Sequence, residues 1–280
     1  MRTIDNFNFA GKKALIRVDF NVPLDENFKV TDNTRIEAAK PTISKILNDG
    51  GTVVLMSHLG RPKGERNDKY SLRHIVGEVE KVLGKKVIFV EDCVGEVAEK
   101  AVAAAPAGSV VLLENLRFHN EEEKGDEAFS RQLAKLGDIY VNDAFGTAHR
   151  AHASTTIVAK FFPNHKCFGY LLAKEIESID KVMRSGEKPV TAILGGSKVS
   201  SKITLLSNIL DVVDKIIIGG AMMYKTMLSY CEKAYVTKVF ANGEATVFFE
   251  NLDVHEDWTL ENREEPIEDN GYTIQYYVYS

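Results

Sequence analysis

Five groups of polar residues could carry chemistry in this chain: Asp19-Phe20-Asn21, Arg35, His58-x-x-Arg61, Asn115-Leu116-Arg117 and His149-Arg150-Ala151-His152. Any single member reads as a surface arginine or a helix-end histidine. Together they make an anion site, because guanidinium forks bind carboxylate and phosphate through paired hydrogen bonds. Asp19 and Asn21 would add acceptors for ligand hydroxyls. The ligand implied is small and carries both a carboxylate and a phosphate. A second group, Gly195-Gly196-Ser197-Lys198-Val199-Ser200-Ser201-Lys202, lies between an apolar run and a helical stretch. Glycines there let backbone approach a phosphate, and a helix start favours negative charge. No G-K-[ST] closes the loop, so it is not a Walker A sequence, and taken alone it reads equally as a tight turn.

These residues need elements that bring them to one place. Short apolar runs at residues 14–18, 52–56, 86–90, 109–113 and 139–141 read as buried strands. Amphipathic stretches at 33–47, 71–83 and 127–136 read as the helices between them. That alternation predicts an α/β fold with a parallel sheet in a three-layer domain. Most of the polar groups follow a strand directly, and Arg35 begins a helix. Ligands of open α/β sheets bind beyond the carboxyl ends of the strands, so the groups are expected on one rim.

Leu172, Ile176, Ile179 and Met183 form one apolar stripe, which predicts a single helix over 170–183 ended by Ser185-Gly186-Glu187-Lys188-Pro189. We read 1–170 as the first domain, 171–186 as a connecting helix and hinge, and 187–280 as a smaller hybrid α/β domain. In that second part, strands are expected at 190–194, 215–218, 234–239 and 272–279, and helices over 199–210 and from 221. The last strand predicts an antiparallel hairpin at the end of the chain. The charge run 261–265 reads as a solvated loop.

Composition narrows the function classes. The 280 residues are 44% hydrophobic and 27% charged, as in an ordinary globular protein. A net charge of −5 argues against nonspecific nucleic-acid binding, which needs a basic face. The three cysteines form no CxxC or Cys/His metal pattern and are expected as small core residues in a reducing compartment. No signal-like stretch or membrane-length apolar run is present, so the expectation is a cytoplasmic protein with no membrane partner.

Five of the motifs are specific enough to be placed. RVDFNVP, SHLGRPKG, LLENLRF, VNDAFGTAHRAHAS and LGGSKVSSK resemble the phosphoglycerate kinase family in sequence and in order, over about residues 1–220. The resemblance implies that Asp19, Asn21, Arg35, His58, Arg61, Arg117 and Arg150 bind 3-phosphoglycerate. It makes Arg35 and Lys198 the catalytic residues, and Gly195, Gly196, Lys202, Gly219 and Gly220 the nucleotide-binding ones. The implied reaction is reversible, glycolytic transfer of a phosphoryl group between ATP and the carboxylate of 3-phosphoglycerate. Mg-ATP is the expected cofactor form, ATP/ADP and 3-phosphoglycerate the partners, and a monomer the expected state. Catalysis of this kind is positioning plus charge stabilisation, completed by domain closure.

Past Gly220 the resemblance changes. The family's third glycine in that turn is Ala221 here, and its later Gly-Gly-Gly-Asp-Thr motif, whose aspartate holds Mg²⁺, is not found, so no residue is assigned as a metal ligand. Residues 216–280 instead resemble the closing part of dihydrofolate reductase, in Gly219-Gly220, Tyr224 and Tyr235-Val236-Thr237-Lys238. At that family's usual Asp-Thr pair the chain has Thr246-Val247. The reductase's proton donor and folate pocket belong to a part not represented here, so the segment is expected to complete a sheet rather than to reduce a pterin. Two other readings stay open beside the kinase: a chimera that binds 3-phosphoglycerate without turnover, and an NADPH-dependent reductase.

Overall fold

The apolar runs pair into one parallel sheet. In the computed structural model, which describes residues 2–148, 150–185, 188–194, 212–218, 224, 227–241 and 249–280, the chain divides into two units, 1–179 and 180–280. The first unit holds β1 (Lys13–Val18), β2 (Thr52–Met56), β3 (Val87–Val90), β4 (Val110–Leu113), β5 (Ile139–Asp143) and the short β6 (Lys166–Phe168). Their order is β3-β4-β2-β1-β5-β6, every pairing parallel. The chain therefore leaves β1 toward one edge and later returns to its other side, so the sheet has its switch point at β1.

The helices are α1 (Thr34–Asn48), α2 (Val76–Leu83), α3 (Gly95–Ala104), the short α4 (Asn120–Lys124), α5 (Glu127–Ala134), the single turn α6 (Phe145–Ala148) and α7 (Tyr170–Ser185). Central strands read as continuous apolar runs because both of their faces are covered. Ile16, Val53, Leu55 and Val141 pack with Ile36, Ile43 and Ile46 of α1 and Val79 of α2. The alternate residues Leu15, Val54, Met56 and Tyr140 pack with Ala98 and Val102 of α3 and with Phe129 and Leu133 of α5. This is a three-layer α/β domain, as the sequence predicts.

Three details depart from the sequence reading. The stretch 71–83 is not one helix but a 3-10 turn, Leu72–Ile75, running into α2. Buried Glu114 accepts from the Leu72 amide at 2.8 Å and from the Ser71 hydroxyl at 2.6 Å, which tightens that first turn. Elements α3, α4 and β6 have no expected counterpart in the sequence pattern, being short or alanine-rich. The expected stripe of α7 is buried at Leu172 and half-buried at Ile176 and Met183, but Ile179 is 48% exposed, and the division between units falls inside this helix.

In the second unit, β7 (Thr191–Leu194) pairs in parallel with β8 (Lys215–Ile218). Separately, β12 (Tyr272–Tyr279) is flanked by β9 (Ala234–Phe240) on one side, and by β10 (Leu260–Arg263) and β11 (Ile267–Asp269) on the other, all antiparallel. Asn270 and Gly271, with φ of 51° and 82°, make the tight turn of the expected terminal hairpin. The charge run 261–265 is corrected: β10 takes Glu261 and Arg263 into an edge strand, with a bulge between Leu260 and Asn262. An edge strand tolerates outward charges, and a bulge accommodates the extra residue. Leu228, Leu252, Tyr277 and Tyr279 form the small core of this sheet. The helices expected over 199–210 and from 221 fall on or across residues outside those described. Among the described residues, no helix is long and apolar enough to cross a membrane.

Candidate anion-binding site

The rim beyond β1, β2, β4 and β5 gathers the predicted polar groups of the first unit. Asp19 and Asn21 follow β1, His58 and Arg61 follow β2, and Arg117 sits in a 3-10 turn, Leu116–Phe118, after β4. Arg150 follows α6 on an exposed segment. Arg35 lies in the first turn of α1, where Asp32 Oδ1 accepts from the Thr34 amide at 2.9 Å. Asn33 donates to Glu78 Oε1 at 2.7 Å, tying that helix start to α2.

Backbone contacts stitch the loops together. Asn21 Oδ1 accepts from the Gly60 amide at 2.8 Å, and Arg117 Nη1 donates to the Gly60 carbonyl at 3.1 Å. Asn115 donates to the carbonyls of Leu59 and Tyr70 at 2.7 and 2.8 Å. The loops after β1, β2 and β4 are thereby one assembly. It also assigns Asn21 differently from the sequence reading: its carbonyl is committed to Gly60, so its amide NH₂ is the group left to offer a ligand. Gly60 has φ of +62°, and a Cβ there would stand 2.3 Å from the Tyr70 ring.

Arg35 forms an ion pair with Asp19 Oδ2, while about half of the Arg35 side chain remains exposed. Asp19 Oδ1 is buried and has no hydrogen-bond partner among the described residues, and the same holds for His152 Nδ1. An orphan acceptor beside an arginine is what a hydroxylated anion would use. Arg117 is almost fully buried and touches Glu123 at 3.3 Å. Burial lowers its proton affinity, Glu123 offsets this, and Arg17 and Arg150 add repulsion that a bound anion would relieve.

Beneath the rim lies a buried network that the sequence reading did not identify. The guanidinium of Arg17, in β1, is 1% exposed; Nε donates to Ser154 Oγ at 2.9 Å, Nη1 to the Val18 carbonyl, and Nη2 faces His58 Nδ1 at 3.0 Å. Ser154 in turn donates its hydroxyl to Glu122 Oε1 at 2.5 Å and its amide to Oε2 at 2.9 Å. Glu122 is thus the counter-charge of Arg17 through one hydroxyl. Burial first, then Arg17, Arg117, Arg35 and His152, push the His58 pKa down to about 2, so its imidazole is neutral. Burial also lowers that of His152. The available signal was Arg17 itself, a charge inside an apolar strand run; nothing local distinguishes Glu122 from its neighbours Glu121 and Glu123.

The remaining predicted residues are not among these. Lys198, Gly195, Gly196, Lys202, Gly219 and Gly220 lie outside the described residues, as does His149.

The family model for phosphoglycerate kinase matches residues 4–252, which runs past Gly220. The phosphoglycerate kinase of Porphyromonas gingivalis is 51% identical over 246 residues, covering 79% of this chain and 59% of that protein. The Moorella thermoacetica phosphoglycerate kinase is 54% identical over 220 residues, covering 79% and 55%. Among solved structures, phosphoglycerate kinase from Coxiella burnetii superposes with a TM-score of 0.70 at 38% identity, covering 81% of this chain and 57% of that one. Phosphoglycerate kinase from Pyrococcus horikoshii OT3 gives a TM-score of 0.71 at 31% identity, covering 82% and 58%. The chain therefore spans between 55% and 59% of the length of these relatives.

Proposed function

Because the chain belongs to the phosphoglycerate kinase family, we propose that its first unit binds 3-phosphoglycerate on the arginine rim and presents the acid's carboxylate for phosphoryl exchange with ATP or ADP. The observation that carries this reading is the rim itself, where Asn21 and Arg117 are joined through Gly60 and the Asp19–Arg35 pair leaves Asp19 Oδ1 without a partner among the described residues.

Each residue has a task in this reading. Arg61, Arg117 and Arg150 hold the phosphate, as planar forks suited to it. Asp19 Oδ1 accepts the ligand's hydroxyl, and the Asn21 amide adds a donor. Arg35 exchanges part of its contact with Asp19 for the carboxylate and stabilises charge as the phosphoryl group arrives, helped by the positive start of α1. Neutral His58 offers its Nε2 proton as a donor without adding charge. Lys198, Lys202 and the Gly195-Gly196 and Gly219-Gly220 turns are assigned to the nucleotide side by the family resemblance. Magnesium bound with the nucleotide would neutralise its phosphates; no residue of this chain is assigned to hold it. The protein is read as monomeric and cytoplasmic.

Ala221, standing where the family has its third glycine, favours a second reading, a 3-phosphoglycerate-binding protein without turnover. We assign the dihydrofolate-reductase-like segment, residues 216–280, a structural part as sheet and hairpin, not reduction of a pterin. Calorimetric titration with 3-phosphoglycerate, then MgATP in the same cell, tests these readings. Heat from both, with turnover in a coupled assay, supports the kinase. Heat from the acid alone supports the binding protein. No heat from 3-phosphoglycerate overturns both.

A further inference from the structure

We propose that Asp92, Cys93 and His119 form a binding site for a divalent transition metal, zinc being the best chemical match, with water completing the coordination. The donor atoms of these residues all lie within 4.8 Å of one another. They come from two separate segments. Asp92 and Cys93 follow β3 and lead into α3, and His119 closes the 3-10 turn Leu116–Phe118, its amide bonded to the Leu116 carbonyl at 3.1 Å.

The donor set is one thiol, one imidazole and one carboxylate. Zinc accepts all three types, whereas magnesium and calcium select oxygen ligands. A tetrahedral zinc, at its usual bond lengths, needs donors roughly 3.3–3.8 Å apart. The widest gap therefore has to close by about 1 Å, within reach of small side-chain rotations. His119 Nε2 and Asp92 Oδ1 are already 2.7 Å apart, sharing a proton whose place the metal would take. Asp92 Oδ1 also accepts from the Cys93 amide at 2.7 Å, so the oxygen that faces His119 is held in place by the neighbouring backbone.

Access and shielding fit as well. The Cys93 side chain is fully buried, while Asp92 and His119 are 39% and 29% exposed, forming a mouth above a thiol floor. The His119 ring leans on Phe129, with centroids 5.2 Å apart, which limits its swing. None of the three residues belongs to the arginine rim, so the inference does not depend on the proposed kinase function.

The test is titration of the reduced full-length chain with Co²⁺, following the near-ultraviolet charge-transfer absorption of a cobalt thiolate, then displacement with Zn²⁺. The expected result is a saturable band at one equivalent, bleached by Zn²⁺. Cys93→Ser should remove the band, and His119→Gln should weaken Co²⁺ binding by about tenfold or more. Circular dichroism and cooperative unfolding of both variants confirm that they fold. His119 is partly exposed, so its variant keeps the test valid should Cys93→Ser unfold. Absence of a band at saturating Co²⁺ overturns the proposal. So does a band retained in folded Cys93→Ser, which would report Cys167 or Cys231, or an unchanged affinity in His119→Gln.

Discussion

The guanidinium of Arg17 stands 3.0 Å from Nδ1 of His58, and both side chains are shut away from solvent. A cation held against an imidazole keeps it neutral and makes Nδ1 the acceptor. The remaining proton is then on Nε2. Burial and this charge together hold a rim histidine neutral, and the charge fixes its tautomer.

This arrangement makes stability depend on pH. The folded His58 pKa is depressed to about 2 from an ordinary 6.5, so the unfolded chain binds the extra proton first. The contribution is complete above 6.5 and is lost as pH falls toward 2, by at most about 1.4 kcal/mol per pH unit. His119 works in the opposite sense: the hydrogen bond to Asp92 raises its pKa, so its contribution is complete below 6.5 and fades as pH rises through the folded value. Comparing urea unfolding of the parent with His58→Gln between pH 7 and 5 isolates the first effect. The variant should show the shallower loss; equal slopes would contradict a neutral His58.

Glu122→Gln removes the counter-charge of Arg17 with almost no change in shape. Glu122 is 1% exposed, and the guanidinium it serves cannot recruit water. The expected destabilisation is about 3 kcal/mol, measured by urea unfolding. Glu121→Gln, on an exposed neighbour, should stay within about 0.5 kcal/mol.

Gly60→Ala strikes the loop that joins Asn21 to Arg117. It combines a φ of +62° with a Cβ placed 2.3 Å from the Tyr70 ring. Backbone strain alone costs about 1–3 kcal/mol. Because the loop also carries Arg61, 3-phosphoglycerate affinity should fall along with the melting temperature. A variant that melts lower but binds with unchanged affinity would show that the loop does not organise the rim.

Arg35→Ala separates binding from folding. Arg35 is half exposed, but Asp19 is only 15% exposed and loses its partner, so stability should fall by about 1 kcal/mol. Calorimetry with 3-phosphoglycerate should show a loss of about tenfold or more, or about 1.4 kcal/mol. Unchanged affinity would remove Arg35 from the site.

The strands β1, β2, β4 and β5 were legible because parallel strands covered on both faces are short apolar runs with polar ends. The terminal hairpin was legible from the β-rich last strand, and Asn270-Gly271 supplies its left-handed turn. The edge strand β10 was not, since residues 261–265 are charged and its strand character comes from pairing with β12. Short helix α4 was missed for a related reason: its stability comes from burying Glu122 against Ser154, 32 positions further along the chain.

The amino-acid order by itself determined the alternation of elements, the placement of Asp19, His58, Asn115 and Arg117 just beyond strand ends, and the family motifs that name a ligand. Those features are local, written in periodicity and in residue types at fixed spacing. Only the tertiary structure decided that Asn21 spends its carbonyl on Gly60, that Glu122 answers Arg17 through Ser154, and that Cys93 meets His119. Such partnerships depend on sheet order and on which side chains lose water together, and a burial shared across distant segments leaves no periodic trace in the sequence.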